Sequence, residues 1–185
     1  MFETGQFMCL WRDLATRMGL EPIVEGDDWH TGVVIENAKA ALEKDTNHEI
    51  KAVCMVHNET ATGVVSDVAA MRKAMDEAGH PTLLMVDTIS SLGSMDYRHD
   101  EWGVDVTIGG SQKGLMMPPG LAFNAVGDKA LTAAGAPDDF GLWVMIEMPL
   151  AILNIQEIAE AAHRTRLTTF VMGTNDLAKE YRARP

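Results

Sequence analysis

Cysteine is nearly absent. Cys9 and Cys54 are the two in 185 residues, isolated from each other and without CxxC spacing, so neither a disulfide framework nor a zinc site is expected. That usage fits a reducing cytoplasm. Basic residues are scarce too, 15 against 27 acidic ones, for a formal charge of −12. Such a chain repels nucleic acid and anionic membranes, and no basic stripe offers a footprint for phosphates. No apolar run reaches the length of a membrane span, and no basic-then-apolar leader follows Met1, so neither an anchor nor an export signal is read. Aromatics amount to 6%, yet hydrophobic residues reach 46%, which argues against disorder and for one packed domain, or one domain with part of another.

What is present is an alternation of helix and strand patterns. Met8, Trp11, Ala15 and Met18 recur at helical spacing until Gly19 stops them, and Ile35, Ala38 and Leu42 suggest a second helix after a loop at 26–32. The run Ala52-Val53-Cys54-Met55-Val56 is apolar throughout and too short for a helix, as expected of a parallel strand covered on both faces. It ends in His57-Asn58-Glu59-Thr60. Val68, Met71, Met75 and Ala78 then mark a helix, and Leu83 to Val86 a second strand with Asp87 at its C-terminal end. A third strand, Val104 to Ile108, leads into Gly109-Gly110-Ser111-Gln112-Lys113-Gly114, and a fourth is read from Leu121 to Val126. This order predicts an open, mostly parallel α/β sheet. Ligands of such sheets bind beyond the carboxyl ends of the strands, where Thr60, Asp87 and Lys113 fall. The 13 methionines read as core filler.

A seam is expected at 133–139, where small and turn-forming residues gather. Beyond it, a strand from Leu142 to Ile146 ends at Glu147, a helix carries Ile152, Ile155, Ile158, Ala159 and Ala162, and a strand from Leu167 to Met172 leads to Asp176. That is one β-α-β unit.

A lysine used as a covalent amine needs an exposed position at a pocket's edge, which a strand-end loop flanked by glycines supplies. A pyridine ring acts as an electron sink only while its nitrogen stays protonated, which calls for a buried carboxylate beside it. Lys113 and Asp87 meet these two requirements. Blander readings exist for each residue. An isolated aspartate at a strand end is ordinarily a cap or turn residue, a lysine among glycines is ordinarily solvated, and an aromatic near a helix start is ordinarily core or staple. His57 and Glu59 read as satisfying backbone groups where the strand ends.

The surrounding wording favours the chemical reading. HNETATG at 57–63, the segment MVDTISSLGSMDYRHDEWGVDVTIGGSQKGLMMPPG at 85–120 and the opening ETGQFMCLWRDLATRMG resemble the class V aminotransferases, most of all the serine–glyoxylate (alanine–glyoxylate type) branch, over residues 1 to about 132. The resemblance implies part of the large domain of a fold-type-I enzyme dependent on pyridoxal 5'-phosphate. Lys113 would be its Schiff-base lysine and proton carrier, and Asp87 the partner of the ring nitrogen. Phe7 would stack on the ring, Thr60 would lie at its polar edge, and Ser111 and Gln112 would help hold the phosphate. The implied reaction moves an amino group from serine or alanine to glyoxylate, a 2-oxo acid, in a homodimer. The resemblance also leads us to expect that a chain limited to this segment, without the family's N-terminal phosphate turn and C-terminal arginine, transfers amino groups poorly.

Residues from about 136 onward are similar instead to the HpcH/HpaI aldolase and citrate-lyase β-subunit family, including its malyl-CoA lyases. In that resemblance 140–185 is a fragment of a (β/α)₈ barrel, and Glu147 and Asp176 would hold a magnesium ion for cleavage of a CoA ester. Two ancestries in one chain lead to the expectation of a fusion, with an inactive chimera as the non-enzymatic alternative.

Overall fold

The computed structural model describes residues 1–26, 29–146 and 148–182, and of Met145, Asn175 and Asp176 the backbone alone. The chain divides into two compact units, Met1–Ala134 and Gly135–Pro185.

The first unit is built on the buried apolar strands read from the sequence. Strands β1 (Ala52–Val56) and β4 (Leu83–Asp87) pair in parallel, with Val53 opposite Leu84, Met55 opposite Val86 and Val56 opposite Asp87. Their alternate side chains face one layer, where Val53, Met55, Leu84 and Val86 pack on Ala38 and Leu42 of helix α2 (Ile35–Lys44) and on Val68, Met71 and Met75 of helix α3 (Val68–Glu77). Full burial of each large side chain stabilises the fold by about 1.5–3 kcal/mol relative to leaving it in water. Helix α3 starts where Asp67 accepts a hydrogen bond from Ala70 N at 2.8 Å, an N-terminal cap. Helix α1 (Gln6–Arg17) precedes this layer, and a small antiparallel hairpin, β2 (Asn58–Glu59) with β3 (Val64–Val65), follows β1.

The third strand of the sheet, β5 (Val106–Gly110), pairs in parallel with β4, and β6 (Ala122–Val126) closes the order β1-β4-β5-β6 antiparallel to β5. Helix α4 (Asp128–Ala133) ends the unit. The sheet is therefore mostly parallel, as the alternation predicts. Strand β5 starts two residues later than its apolar pattern suggests, because Asp105 is held by other bonds. Its backbone N–H donates to Leu84 O at 3.0 Å, while its buried carboxylate accepts from Leu84 N at 2.8 Å. The same carboxylate lies 3.7 Å from Arg72 and 3.6 Å from Lys129, tying α3 and α4 to the foot of β4. Asp105→Ala strands the Leu84 N–H and removes the common partner of two cations, so we expect a loss of about 2–4 kcal/mol in urea denaturation. A loss below about 0.5 kcal/mol, the range of an ordinary surface change, would contradict this account of the bracket.

The second unit contains β7 (Leu142–Ile146) and β8 (Leu167–Met172) in a parallel pair. The single helix expected between them is broken into α5 (Pro149–Leu153), α6 (Ile155–Glu160) and a 3₁₀ turn at Ala161–Arg164, with Asn154 serving as C-cap of α5 and N-cap of α6. Helix α7 (Thr174–Glu180) follows β8. The expected β-α-β order is present as one strand pair, and nothing among the described residues adds a barrel wall to it. Among the described residues no helix is long and apolar enough to cross a membrane.

Candidate active site

Parallel pairing of β1, β4 and β5 sends the chain out of the sheet at one end with Thr60, Asp87 and the 111–114 segment close in register. Asp87, the last residue of β4, sits half-buried. Its Oδ1 accepts a hydrogen bond from Ile89 N at 2.8 Å, and among the described residues no other donor is recorded on this carboxylate. Burial pushes its pKa above the ordinary carboxylate value, and the charge of Glu59 adds to that, whereas the Ile89 N–H and the Lys113 ammonium act in the opposite direction.

Lys113 points back across the strand ends. Its Nζ lies 3.5 Å from Thr60 Oγ1, a long contact, and 5.4 Å from the centroid of the Phe7 ring. Phe7 lies in the first turn of α1 and is 39% exposed, which is unusual for a phenyl ring with a core alongside. Three chain segments thus bring an amine, a hydroxyl and an aromatic face together, and the half-buried acid of Asp87 ends the strand that pairs with β5. A separate concavity of about 1020 Å³, lined in part by Trp11, Ile23, Cys54 and Met85, includes none of the four.

The loop carrying Lys113 is closed at its throat by Ser111. The fully buried Ser111 donates its hydroxyl to Pro118 O at 2.7 Å and accepts Leu121 N at 3.3 Å, and its own N–H donates to Leu121 O at 3.1 Å. Its hydroxyl therefore shapes the loop from inside. Gln112 is exposed, and its Oε1 folds back over Gly110, 3.0 Å from where a Cβ would stand.

Two glycines fix the height of this loop. A Cβ on Gly114 would meet Leu92 O at 2.3 Å and Ser94 N at 2.7 Å, and a Cβ on Gly93, whose φ is +78°, would meet the Gly114 carbonyl at 3.0 Å. The segment leaving Asp87 and the segment holding Lys113 touch backbone to backbone, a contact any side chain would wedge open. That segment is itself moored. Asn58 Nδ2 donates to Ser90 Oγ at 2.8 Å, Ser90 Oγ donates to Asn58 O at 2.7 Å, and His57 Nδ1 lies 3.0 Å from Ser91 Oγ.

Comparison with known proteins identifies the family. The Aminotransferase class-V family model matches residues 8–142. The chain belongs to the class V aminotransferases. The serine–glyoxylate aminotransferase of Methylorubrum extorquens is 57% identical over 130 residues, which make up 70% of this chain and 32% of that protein. The L-aspartate–glyoxylate aminotransferase of Paracoccus denitrificans is 50% identical over 131 residues, 71% of this chain and 33% of that protein. Among solved structures, the alanine–glyoxylate aminotransferase of Nostoc sp. aligns with a TM-score of 0.66 at 25% identity, covering 98% of this chain and 46% of that one. The chain spans about a third of the length of the curated relatives it matches.

In this class V chain the family match crosses the 133–139 span and ends at the first residue of β7. The expected metal residues find no described geometry: Glu147 lies outside the described residues, as does the side chain of Asp176. Among the described residues no group of three or more His, Cys, Asp or Glu is placed to hold an ion.

The residue whose reach the sequence hides is Glu59. It satisfies backbone groups, as a strand-end residue is expected to, but chiefly those of a distant helix. Its carboxylate accepts Phe7 N at 3.2 Å and Met8 N at 3.3 Å, besides Ala61 N at 3.1 Å. No local pattern signals a partner 51 positions away.

Proposed function

We propose that this chain carries the covalent centre of an aminotransferase that uses pyridoxal phosphate to pass an amino group between a small amino acid and glyoxylate. The observation that carries the reading is the approach of Lys113 to both Thr60 and Phe7, from three separate segments, at the end of the sheet where strand β4 finishes in Asp87.

The residues present fit the cofactor. Among the described residues, Asp87 accepts from Ile89 N alone, Lys113 has no ion-pair partner at contact distance, and Phe7 leaves part of its ring uncovered. When bound, pyridoxal phosphate supplies a protonated pyridine ring that draws electrons away from the substrate's α-carbon. Asp87 would hold the proton on the ring nitrogen. Phe7 would lie against the ring face and Thr60 at its polar edge. Lys113 Nζ would form the covalent attachment and, once displaced by the substrate amine, take the proton from the substrate α-carbon. Gln112 would reach the phosphate through its exposed amide, and Ser111 would contribute by holding the loop closed.

The relatives support the choice of substrates. In their names the amino donor changes from serine to aspartate to alanine, while glyoxylate stays. Glyoxylate is therefore the oxo acid we assign, with serine or alanine as donor, and a homodimer as the assembly. In the same reading the seam at 133–139 separates the aminotransferase part from a 140–185 segment of other ancestry, and amino transfer by the 185-residue chain itself is slow. Reading the encoding DNA across Ala133 checks the seam: two intact neighbouring genes there would show the join to be artificial.

The test of the central reading is chemical. Purified chain is incubated with pyridoxal phosphate, reduced with borohydride and digested, and the modified peptide is mapped. The expected result is a label on Lys113. A label spread over Lys51, Lys73 and Lys129, with none preferred, would show surface chemistry only.

A further inference from the structure

We propose that Glu59 is a positioning residue of this site, one whose buried carboxylate fixes the Phe7 ring and the Thr60 hydroxyl as the two walls between which Lys113 works. The inference rests on the pyridoxal-phosphate reading above.

Helix α1 begins without a local cap. Its N-cap is Gly5, and no side chain from the flanking residues accepts its first N–H groups. Serine, aspartate or asparagine at that position would cap the helix cheaply. Here a fully buried glutamate from the β2 hairpin does it, with Oε1 and Oε2 both accepting from Phe7 N, at 3.3 and 3.2 Å, and Oε2 also from Met8 N. Among the described residues no lysine or arginine is recorded in an ion pair with Glu59. Burying a carboxylate against backbone N–H groups alone is a costly way to cap a helix. The chain has also given up Cβ at Gly5 for it, since a side chain there would stand 2.4 Å from Glu59 Cγ.

A tie between two distant segments explains the arrangement better than helix stability does. Phe7 is the residue whose N–H both oxygens hold, and Thr60 follows Glu59 in the chain. Ala61 N donates to the same carboxylate at 3.1 Å, and Thr62 Oγ1 donates to Thr4 O at 3.2 Å, so the hairpin and the helix entry are joined twice. Lys113 Nζ stands between the results, 3.5 Å from one wall and 5.4 Å from the ring of the other. The charge of Glu59 also reaches Asp87. One buried side chain thus holds Phe7 directly, precedes Thr60 in the chain and acts on Asp87 through its charge.

The test uses the full chain and pyridoxal phosphate as probe, with affinity read from the circular dichroism of the bound cofactor well below the unfolding transition. Glu59→Gln keeps one acceptor oxygen and removes the charge. It should weaken cofactor binding by about 5–10-fold, the size of one ordinary net hydrogen bond. In a Phe7→Ala/Thr60→Ala background the same change should cost less than about twofold, because the walls it positions are gone. Wild-type affinity in Glu59→Gln, or an equal loss in both backgrounds, overturns the proposal. If Glu59→Gln loses its helical spectrum, Gly5→Ala carries the same comparison, since it crowds the carboxylate from the other side. A wild-type chain that never labels at Lys113 refutes the functional reading instead, so the two failures are distinct.

Discussion

Lys113→Ala is expected to leave no borohydride-fixed cofactor on the 111–114 segment and to slow exchange of the serine α-hydrogen with deuterated solvent by about 10²–10⁴-fold. The exchange assay needs the amino acid and the cofactor but no glyoxylate, so it reads the proton transfer alone. The size of the effect follows from geometry. Lys113 Nζ is the only amine recorded against Thr60 and Phe7 among the described residues, and no other basic group is recorded there to take its place. A small amine such as methylamine should restore part of the exchange in the variant, because the vacated volume between the two walls admits it. Unchanged exchange in Lys113→Ala would remove the lysine from the chemistry.

Asp87→Asn is expected to separate activity from stability. With the carboxylate gone, nothing holds the proton on the ring nitrogen, and the same exchange should fall by about 10²–10³-fold, the usual cost of one preorganised electrostatic contact. The cofactor-free chain should meanwhile become more stable at pH 7, by about 0.5–2 kcal/mol, the common size of a single stabilising substitution. The sign comes from burial. The folded chain raises the Asp87 pKa above its ordinary 3.8, so between that value and the raised one the native state binds more protons than the unfolded state. Stability therefore declines as pH rises through that window and stays lowered above it. Asparagine carries no such charge, so the difference between variant and parent should level off below about pH 3, where Asp87 is protonated in both states. Thermal unfolding across pH 3 to 8 checks this. A variant less stable than its parent at pH 7 would mean that the acid's hydrogen bond to Ile89 outweighs its burial.

The parts of this site legible in the sequence are those set by local pattern. Buried runs such as Ala52–Val56 and Leu83–Asp87 announce strands because both faces are covered, and a strand's last residue is then the one offered to a ligand. That pattern puts Asp87 at a strand end, and only the resemblance of the surrounding segments singles out Asp87 and Lys113 as candidates. The direction of β6 could not be read in this way, since its residues are exposed along its whole length and the pattern says nothing of which way it pairs. Nor could the shifted start of β5, which depends on one carboxylate bracketing Leu84 from both sides. The break at Asn154 is hidden for a different reason: the isoleucines around it keep a helical spacing although the helix itself restarts. Ser111 shows how a correct segment can conceal a different task, its hydroxyl being engaged within its own loop. Glu59 was legible as a residue that satisfies backbone but not as the one that reaches α1, because that partnership exists only after the sheet has formed.

The meeting of Gly93 and Gly114 bears on how such a centre diversifies. Where acid and amine are registered by main chain against main chain, their separation does not depend on the identity of the side chains around them. In the proposed reading, residues that select the donor could then be exchanged one at a time while Asp87 and Lys113 kept their spacing. A scaffold of that kind allows taste to drift from one amino acid to another without relearning the reaction.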